Sequence, residues 1–341
     1  MKVDLGNYFF DDTDSIGKGN YSIVYKGYSH QNNQIYAIKK INYQTRYKKY
    51  IDDEIELMRL VNHNNIIELY DVLYRHEYIY LILEYCHYGD LHSYIKENIC
   101  LSESDSLNFF KQIIYGLKHL IDKNIYHRDL KPHNILITID KKIRICDFGL
   151  AKKIDNIDLN TTICGSPMYM APEIFESNTY DDKSDIWSLG LILFEMLGGY
   201  HPFKSSNIED LKFKIKNVKI PDIKHITKST KKLLNSLLEK NIEKRISWNK
   251  LFNLELLNPI YTQHIQIVEN NTQTKIDDII NLHRIKSLPI TIPKTIKKSD
   301  SFSSDEDFLI VRESNKIHNE NYKKPWYNEM YKSIELFINN I

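Results

Sequence analysis

The sequence predicts an α+β fold with a β-rich first part, a mostly helical second part and a C-terminal tail that lacks a core. Three observations support this prediction. Strand-like patterns dominate residues 8–86, where one segment has helical periodicity. From residue 87 onward the longer apolar patterns are helical, as in the segment from Leu107 to Ile121. From Tyr261 through Ser314 aromatic residues thin out and Asn, Thr, Lys and Ser dominate.

Chain length agrees with this division. The 341 residues suffice for a two-lobed domain of about 250 residues and an appendage. We therefore expect one domain over residues 8–260, with a small lobe at 8–86 and a large lobe at 87–260. A largely disordered linker over 261–324 and an amphipathic helix over 325–341 would follow.

Charge, cysteine content and hydropathy exclude several protein classes. Lys and Arg total 46 against 45 Asp and Glu, so the net charge of +1 creates no strong field for nucleic acid or anionic lipid. The four cysteines show no C-x-x-C spacing, and residues 1–10 lack signal-peptide features. No run of about 18 apolar residues occurs, so no membrane span is expected. These features predict a soluble cytoplasmic protein with reduced thiols.

Residues 127–134, His-Arg-Asp-Leu-Lys-Pro-His-Asn, carry the clearest chemical meaning. The apolar run Ile135-Leu136-Ile137 follows, which predicts a polar loop held between buried elements. Phosphoryl transfer needs a carboxylate to accept the proton of the attacking hydroxyl, a cation for the phosphate and an oxygen donor for a metal. Asp129, Lys131 and Asn134 supply these three groups in one loop.

This loop resembles the catalytic loop of the eukaryotic protein kinases, H-R-D-L-x-x-x-N. Lysine two positions after Asp129 is similar to the serine/threonine-specific branch. The resemblance implies a bilobal kinase fold, ATP and Mg²⁺ (or Mn²⁺) as cofactors, and protein substrates. It continues in the kinase order over roughly Tyr8 to Ile260.

In the small lobe, the resemblance includes a glycine-rich loop. Its residues are Ile16, Gly17, Lys18, Gly19, Asn20, Tyr21, Ser22, Ile23 and Val24. Gly17 and Gly19 would let the backbone approach phosphate oxygens, and Val24 would cover the adenine ring. Ser22 departs from the G-x-G-x-x-G pattern because it stands at the third glycine. Taken alone, this motif is also compatible with an ordinary hairpin turn.

A strand and a helix after this loop complete the resemblance on the phosphate side. Tyr36-Ala37-Ile38-Lys39 matches V-A-I-K, which implies that Lys39 holds the α- and β-phosphates and that Ala37 belongs to the nucleotide site. The helix predicted over residues 50–60 has an apolar side formed by Ile51, Ile55, Leu57 and Met58. Glu54 resembles the acidic partner of Lys39, and Glu56 is the competing candidate.

Residues 78–86 are apolar and rich in strand formers before they turn polar, which predicts the last small-lobe strand and the hinge between the lobes. The resemblance implies that Leu83 lies behind the adenine. Glu84 and Cys86 would offer it backbone hydrogen bonds, and Asp90 would lie near the ribose.

The segment Ile143–Gly149 predicts a strand that runs into the D-F-G motif. By resemblance, Asp147 is the main magnesium ligand, because a hard carboxylate suits a hard cation. Asn134 would serve a second ion, and Leu136 belongs to the same nucleotide site.

Residues 154–173 resemble the activation segment, which ends in Ala-Pro-Glu. Arg128 would pair with a phosphate on Thr162. Ser166 would bridge Asp129 and Lys131. In the same resemblance Asp185 would brace the catalytic loop, and Arg245 would form a structural ion pair with Glu173.

Within the kinases, the stretch 164–173, Cys-Gly-Ser-Pro-Met-Tyr-Met-Ala-Pro-Glu, is similar to the autophagy-initiating serine/threonine kinases. The tail contains an acidic lead and an aromatic-x-x-aliphatic pattern at 303–311. There Phe308 and Val311 would fill two pockets of a ubiquitin-like autophagy modifier, with residues 305–311 added as a strand. A chance match, or a strand docked on the chain's own domain, remains the alternative. The apolar side of the helix predicted over residues 325–341 should dock on the kinase domain or on a partner.

The sequence thus predicts an active protein serine/threonine kinase. One alternative is a catalytically silent kinase-fold scaffold that works through its tail. Ser22 favours altered nucleotide handling, whereas the presence of Lys39, Asp129 and Asp147 argues against silence. The second alternative is a small-molecule kinase, which the Ala-Pro-Glu segment disfavours because it builds a platform for peptides.

Overall fold

The computed structural model describes residues 1–19, 22–43, 48–153, 166–177 and 180–255, with the backbone alone at Lys152 and Lys153. Several predicted residues lie outside these ranges, namely Asn20, Tyr21, Thr162, Phe308 and Val311. None of the helices in the described ranges combines the length and hydropathy of a membrane span.

The small lobe is built on one antiparallel sheet in the order β1-β2-β3-β4-β6-β5. Its strands are β1 (Lys2–Asp4), β2 (Tyr8–Lys18), β3 (Ser22–Ser29), β4 (Ile35–Asn42), β5 (Leu69–Arg75) and β6 (Tyr78–Glu84). Strand β1 precedes residue 8, where we expected the domain to begin, and pairs Val3 with Phe10 of β2. A strand of three residues is too short to show periodicity in the sequence.

The two faces of this sheet belong to different cores, because successive strand residues point to opposite sides. On one face a separate cluster forms from Leu5, Phe10, Tyr25, Tyr36, Ile38, Tyr80 and Ile82. On the other face Ile79 and Leu81 join the large cluster that continues through the whole large lobe. Gly27 permits this packing, since a Cβ there would lie 2.2 Å from Cδ1 of Ile38.

Helix α1 (Lys48–Leu60) confirms the helix predicted over 50–60. Its predicted apolar residues Ile51, Ile55, Leu57 and Met58 are all buried. Glu54 is buried with them, whereas Glu56 is exposed, so the helix turns Glu54 toward the sheet.

The large lobe is mostly helical, as predicted. Its helices are α2 (Leu91–Asn98), α3 (Glu103–Ile121), α4 (Pro172–Ser177), α5 (Asp182–Gly198), α6 (Ile208–Asn217), α7 (Lys228–Leu237) and α8 (Trp248–Phe252). Helix α5 starts with a capping box formed by Asp181 and Ser184 and is buried from Ser184 to Leu197. It forms the centre of the lobe.

Short strands hold the predicted catalytic loop. β7 (Ile125–Tyr126) precedes it and pairs with β10 (Lys152–Lys153), and β8 (Ile135–Ile137) follows it and pairs with β9 (Ile143–Ile145). The isoleucines of β8 and β9 are fully buried. The polar loop at 127–134 is therefore fixed between buried elements at both ends, as the sequence predicted.

Candidate active site

The side chains of the catalytic loop converge on the carboxylate of Asp129. Its Oδ2 accepts hydrogen bonds from Nζ of Lys131 at 2.6 Å and from Nδ2 of Asn134 at 3.0 Å. Its Oδ1 accepts from the backbone N–H of Ser166 at 2.8 Å. Nζ of Lys131 also donates to Oγ of Ser166 at 2.8 Å, so Ser166 contacts both residues, as predicted.

The catalytic loop is held by α5 and by Cys146, the residue that follows β9. Oδ2 of Asp185 accepts from the backbone N–H of His127 at 3.2 Å, as predicted. The His127 ring contacts the carbonyl oxygen of Cys146 through Nε2 at 3.0 Å. Arg128 has a φ of 66° and Asp147 a φ of 68°, a strained backbone region that is commonly found at functional sites.

Lys39 of β4 and Glu54 of α1 form an ion pair, with 2.8 Å between Nζ and Oε1. Burial by itself lowers the pKa of Lys39, but the charges of Glu54 and Asp147 outweigh it and hold the pKa above its usual value. Lys39 therefore stays charged near Asp147, in the cleft between the small and large lobes. The pair also fixes the orientation of α1 relative to the sheet.

Asp147 is an ionised carboxylate that is accessible to solvent next to the catalytic loop. Desolvation by the surrounding protein raises its pKa, but the positive charges of Lys39 and Lys131 act in the opposite direction, and the net pKa is lowered. The amide nitrogen of Asn134 faces Asp129, which leaves its oxygen as the atom for a metal ion. Carboxylate and amide oxygens fit Mg²⁺, which is usually held by one or two carboxylates together with substrate phosphates. In the described part of the chain, no group of three His, Cys, Asp or Glu side chains offers a rival metal site.

Several residues predicted to bind the nucleotide lie on the strands of the small-lobe sheet. Gly17 pairs with Val24 across β2 and β3, and Ala37 pairs with Leu83 across β4 and β6. Ile16 and Lys18 are on β2, and Ile23 is on β3. The N–H of Gly19 donates to the carbonyl oxygen of Ser22 at 2.8 Å. A Cβ on Gly19 would lie 3.0 Å from Oγ of Ser22, so a side chain at position 19 would require the Ser22 hydroxyl to move.

The hinge side of the cleft has its own contacts. The N–H of Glu84 donates to the carbonyl oxygen of Glu68 at 3.0 Å, so it belongs to the sheet. Burial and the charge of Glu84 raise the pKa of the Cys86 thiol to about 12. Asp90 caps α2 by accepting from the N–H of Ser93 at 2.9 Å, and it bridges to Leu136 on β8.

Two side chains next to this cleft were not predicted from the sequence. Arg144 of β9 forms an ion pair with Glu84, with 2.6 Å between Nε and Oε2. The exposed ring of His133, in the catalytic loop, stacks on His92 of α2 with centroids 4.2 Å apart. Alternation in Ile143-Arg144-Ile145 places Arg144 opposite two buried residues, which is the signal that could have drawn attention to it.

Elsewhere in the large lobe, Arg245 and Glu173 form the predicted ion pair. Nη1 and Nη2 of Arg245 donate to the two carboxylate oxygens of Glu173 at 2.7 and 2.8 Å. Nε of Arg245 donates to the carbonyl oxygen of Glu239 at 2.9 Å, and Nη1 to that of Lys183 at 2.9 Å. The guanidinium is fully buried and lies over the ring of Trp187.

Comparison with known proteins gives a consistent result. Residues 10–257 match the family model described as the protein kinase domain. The chain is 41% identical over 266 residues to the serine/threonine-protein kinase atg1 of Dictyostelium discoideum, which covers 74% of this chain and 40% of that protein. It is 38% identical over 249 residues to serine/threonine-protein kinase ULK3 of Xenopus laevis, covering 70% and 53%. It is 35% identical over 263 residues to serine/threonine-protein kinase ULK1 of Homo sapiens, covering 73% and 25%. The chain thus spans a quarter to about half of the length of these relatives.

Proposed function

The chain belongs to the protein kinase family, and on that premise we propose that it transfers the γ-phosphoryl group of ATP to serine and threonine hydroxyls of proteins. The observation that carries this proposal is the simultaneous presence of the Lys39–Glu54 ion pair and the Asp129–Lys131–Asn134 hydrogen-bond set around an ionised Asp147. A silent scaffold would not need the largely buried charges of Lys39, Glu54, Asp129 and Lys131, because their desolvation is unfavourable.

Asp129 is proposed to orient the substrate hydroxyl and accept its proton. Its two oxygens are held by Lys131, Asn134 and Ser166, so the carboxylate is fixed before the substrate arrives. The Lys131 ammonium, 2.6 Å from that carboxylate, would also neutralise charge on the transferred phosphoryl group.

Lys39, Asp147 and Asn134 are proposed to hold the nucleotide phosphates and the divalent cation. Mg²⁺, when bound, would neutralise the charge that develops on the phosphate oxygens. Glu54 keeps the Lys39 ammonium directed into the cleft at 2.8 Å, and Asp147 stays deprotonated because Lys39 lies nearby. The adenine would lie between Val24, Ala37 and Leu136, against the backbone of Glu84 and Cys86.

The test is nucleotide binding and transfer by the wild type and by Asp147→Asn. The wild type should show a magnesium-dependent thermal shift with ATP and should label serine or threonine in arrayed peptides. Asp147→Asn should fold but lose magnesium-dependent transfer, because the carboxylate that would hold the cation is gone. Near-normal turnover of this variant would contradict the assignment of the metal ligand. Absence of any nucleotide response in the wild type would favour the silent scaffold.

Phosphorylation of Thr162 is proposed as the activating event. Thr162 lies outside the described residues, but Arg128 is adjacent to Asp129, and a phosphate near it would link the activation segment to the catalytic loop. In the structure the Arg128 guanidinium lies 5.3 Å from the centroid of the Tyr180 ring.

An autophagy-related role through the tail is the finer proposal. Similarity to kinases named atg1 and ULK1 supports it, as does the acidic segment with Phe308 and Val311. Calorimetric titration of a peptide spanning 301–313 against ubiquitin-like autophagy modifiers tests it, and Phe308→Ala with Val311→Ala is the control. Undetectable heat with the unaltered peptide would refute the partner and leave the kinase proposal intact.

A further inference from the structure

Arg144 occupies the point where three segments of the nucleotide cleft meet. It lies on β9, three residues before Asp147. Its Nε contacts Oε2 of Glu84, the last residue of β6, at 2.6 Å. Its Nη1 donates to the carbonyl oxygen of Asn64, in the loop that follows α1. One guanidinium on β9, the strand that leads to Asp147, therefore contacts both the end of β6 at the hinge and the loop that follows α1.

The loop behind α1 is held by the large lobe through backbone hydrogen bonds. The N–H of Ile145 donates to the carbonyl oxygen of Asn65, and the N–H of Ile67 donates to that of Ile145, both at 2.9 Å. Nδ2 of Asn65 donates to the carbonyl oxygen of Ile143 at 3.1 Å. This loop is thus fixed to β9, and Arg144 extends the connection from β9 to the hinge.

The ion pair between Arg144 and Glu84 is partly buried, so it should contribute more to stability than an exposed surface pair. The side chains of Arg144 and Glu84 are 17% and 18% exposed, so solvent screens them less than a surface pair. Both charges also influence Cys86: Glu84 raises its pKa and Arg144 lowers it. The pair thus includes Glu84, one of the two hinge residues whose backbone is proposed to bind adenine, and lies near the other, Cys86.

We propose that Arg144 is a positioning residue for the nucleotide site, which fixes the hinge against the strand leading to Asp147 and thereby slows nucleotide release. Glu84 ends a small-lobe strand and Arg144 belongs to a large-lobe hairpin, so opening the cleft stretches the contact between them. The inference rests on the proposed nucleotide site, because its effect is exerted through the hinge.

The test measures dissociation of a methylanthraniloyl derivative of ADP, with magnesium, from Arg144→Met and Glu84→Gln. Each variant should release the nucleotide about tenfold faster, the scale set by one charge-assisted hydrogen bond. The KM for ATP should rise by a similar factor while the KM for the peptide stays unchanged. The double variant should be no faster than the faster single variant, because both changes remove the same contact.

Lys142→Met is the matched control. Lys142 lies on the same hairpin, but its ion pair with Asp140 is 3.9 Å long and both side chains are about 60% exposed. This change should leave release and KM within twofold of the wild type. If Arg144→Met fails to fold, Glu84→Gln still tests the contact, since it keeps the size of the side chain and removes only its charge.

Several results would overturn the inference. Release rates within twofold of the wild type in folded Glu84→Gln would do so. Effects that multiply in the double variant, or an equal effect of Lys142→Met, would also do so. If the wild type bound no magnesium nucleotide, the proposed function would fail as well. If it bound and the variants behaved like it, only the role of Arg144 would fail.

Discussion

Glu173→Ala tests whether the fully buried guanidinium of Arg245 depends on its carboxylate partner. The change removes both acceptors at 2.7 and 2.8 Å, while the backbone carbonyls of Glu239 and Lys183 continue to hold the charged group in the interior. Breaking a buried pair in this way costs about 3–5 kcal/mol, because one charge remains uncompensated. For a domain of this size, that corresponds to a fall in Tm of about 6–20 °C.

Circular dichroism melts of Glu173→Ala, Arg245→Met, the double variant and a control make this quantitative. Arg245→Met combined with Glu173→Ala should be less destabilised than the sum of the single changes, by about 0.5–3 kcal/mol, since no unpaired charge is left. Asp122→Ala is the control: it removes a carboxylate from the exposed pair with Lys118, and Tm should change by no more than about 2 °C. A similarly small fall in Tm for Glu173→Ala, or simple additivity in the double variant, would refute the reasoning.

Three further predictions concern catalysis, activation and pH. Asp129→Asn should bind ATP like the wild type in thermal-shift titration but turn over about 10²–10⁴-fold more slowly, because the positioned base is lost. If this variant lost nucleotide affinity by as large a factor as turnover, Asp129 would instead have a structural role. Thr162→Ala should match phosphatase-treated wild type in peptide phosphorylation, and both should fall below the phosphorylated protein; full activity in both would exclude this switch. Burial raises the pKa of Glu195 to about 7, against the hydrogen bond from Tyr169, so the folded state is penalised once the carboxyl ionises. That penalty is absent below about pH 4.5, grows up to about pH 7 and then stays constant. Urea unfolding should therefore show Glu195→Gln to be more stable than the wild type at pH 8, by on the order of 3 kcal/mol. Near pH 4.5 the two proteins should be equally stable.

Local patterns explain why much of the fold was predictable. Helix α1 follows from apolar residues at helical spacing, and that spacing also separates buried Glu54 from exposed Glu56. The buried strands around the catalytic loop follow from short isoleucine-rich runs bounded by polar residues.

What could not be predicted depends on contacts between residues far apart in the chain. Arg144 and Glu84 are 60 residues apart, and neither has a local pattern that names the other. The stacking of His133 on His92 likewise requires α2 to lie against the catalytic loop. Strand β1 adds to the sheet by backbone pairing, which almost any short sequence can provide.

The two-faced packing of the small-lobe sheet affects how the molecule can come apart. The cluster containing Ile79 and Leu81 continues through α1 and Phe148 to α5 and α8, whereas the cluster around Phe10 is confined to the opposite face. A chain cut after the hinge would therefore not yield two halves that each keep a complete interior. The smaller fragment would retain only the core around Phe10 and would expose part of an interior that it shares with the remainder. Within the described residues, the two lobes thus share one continuous hydrophobic core, and we expect them to unfold together. The cleft is a groove in the surface of this unit and does not separate two independently stable pieces.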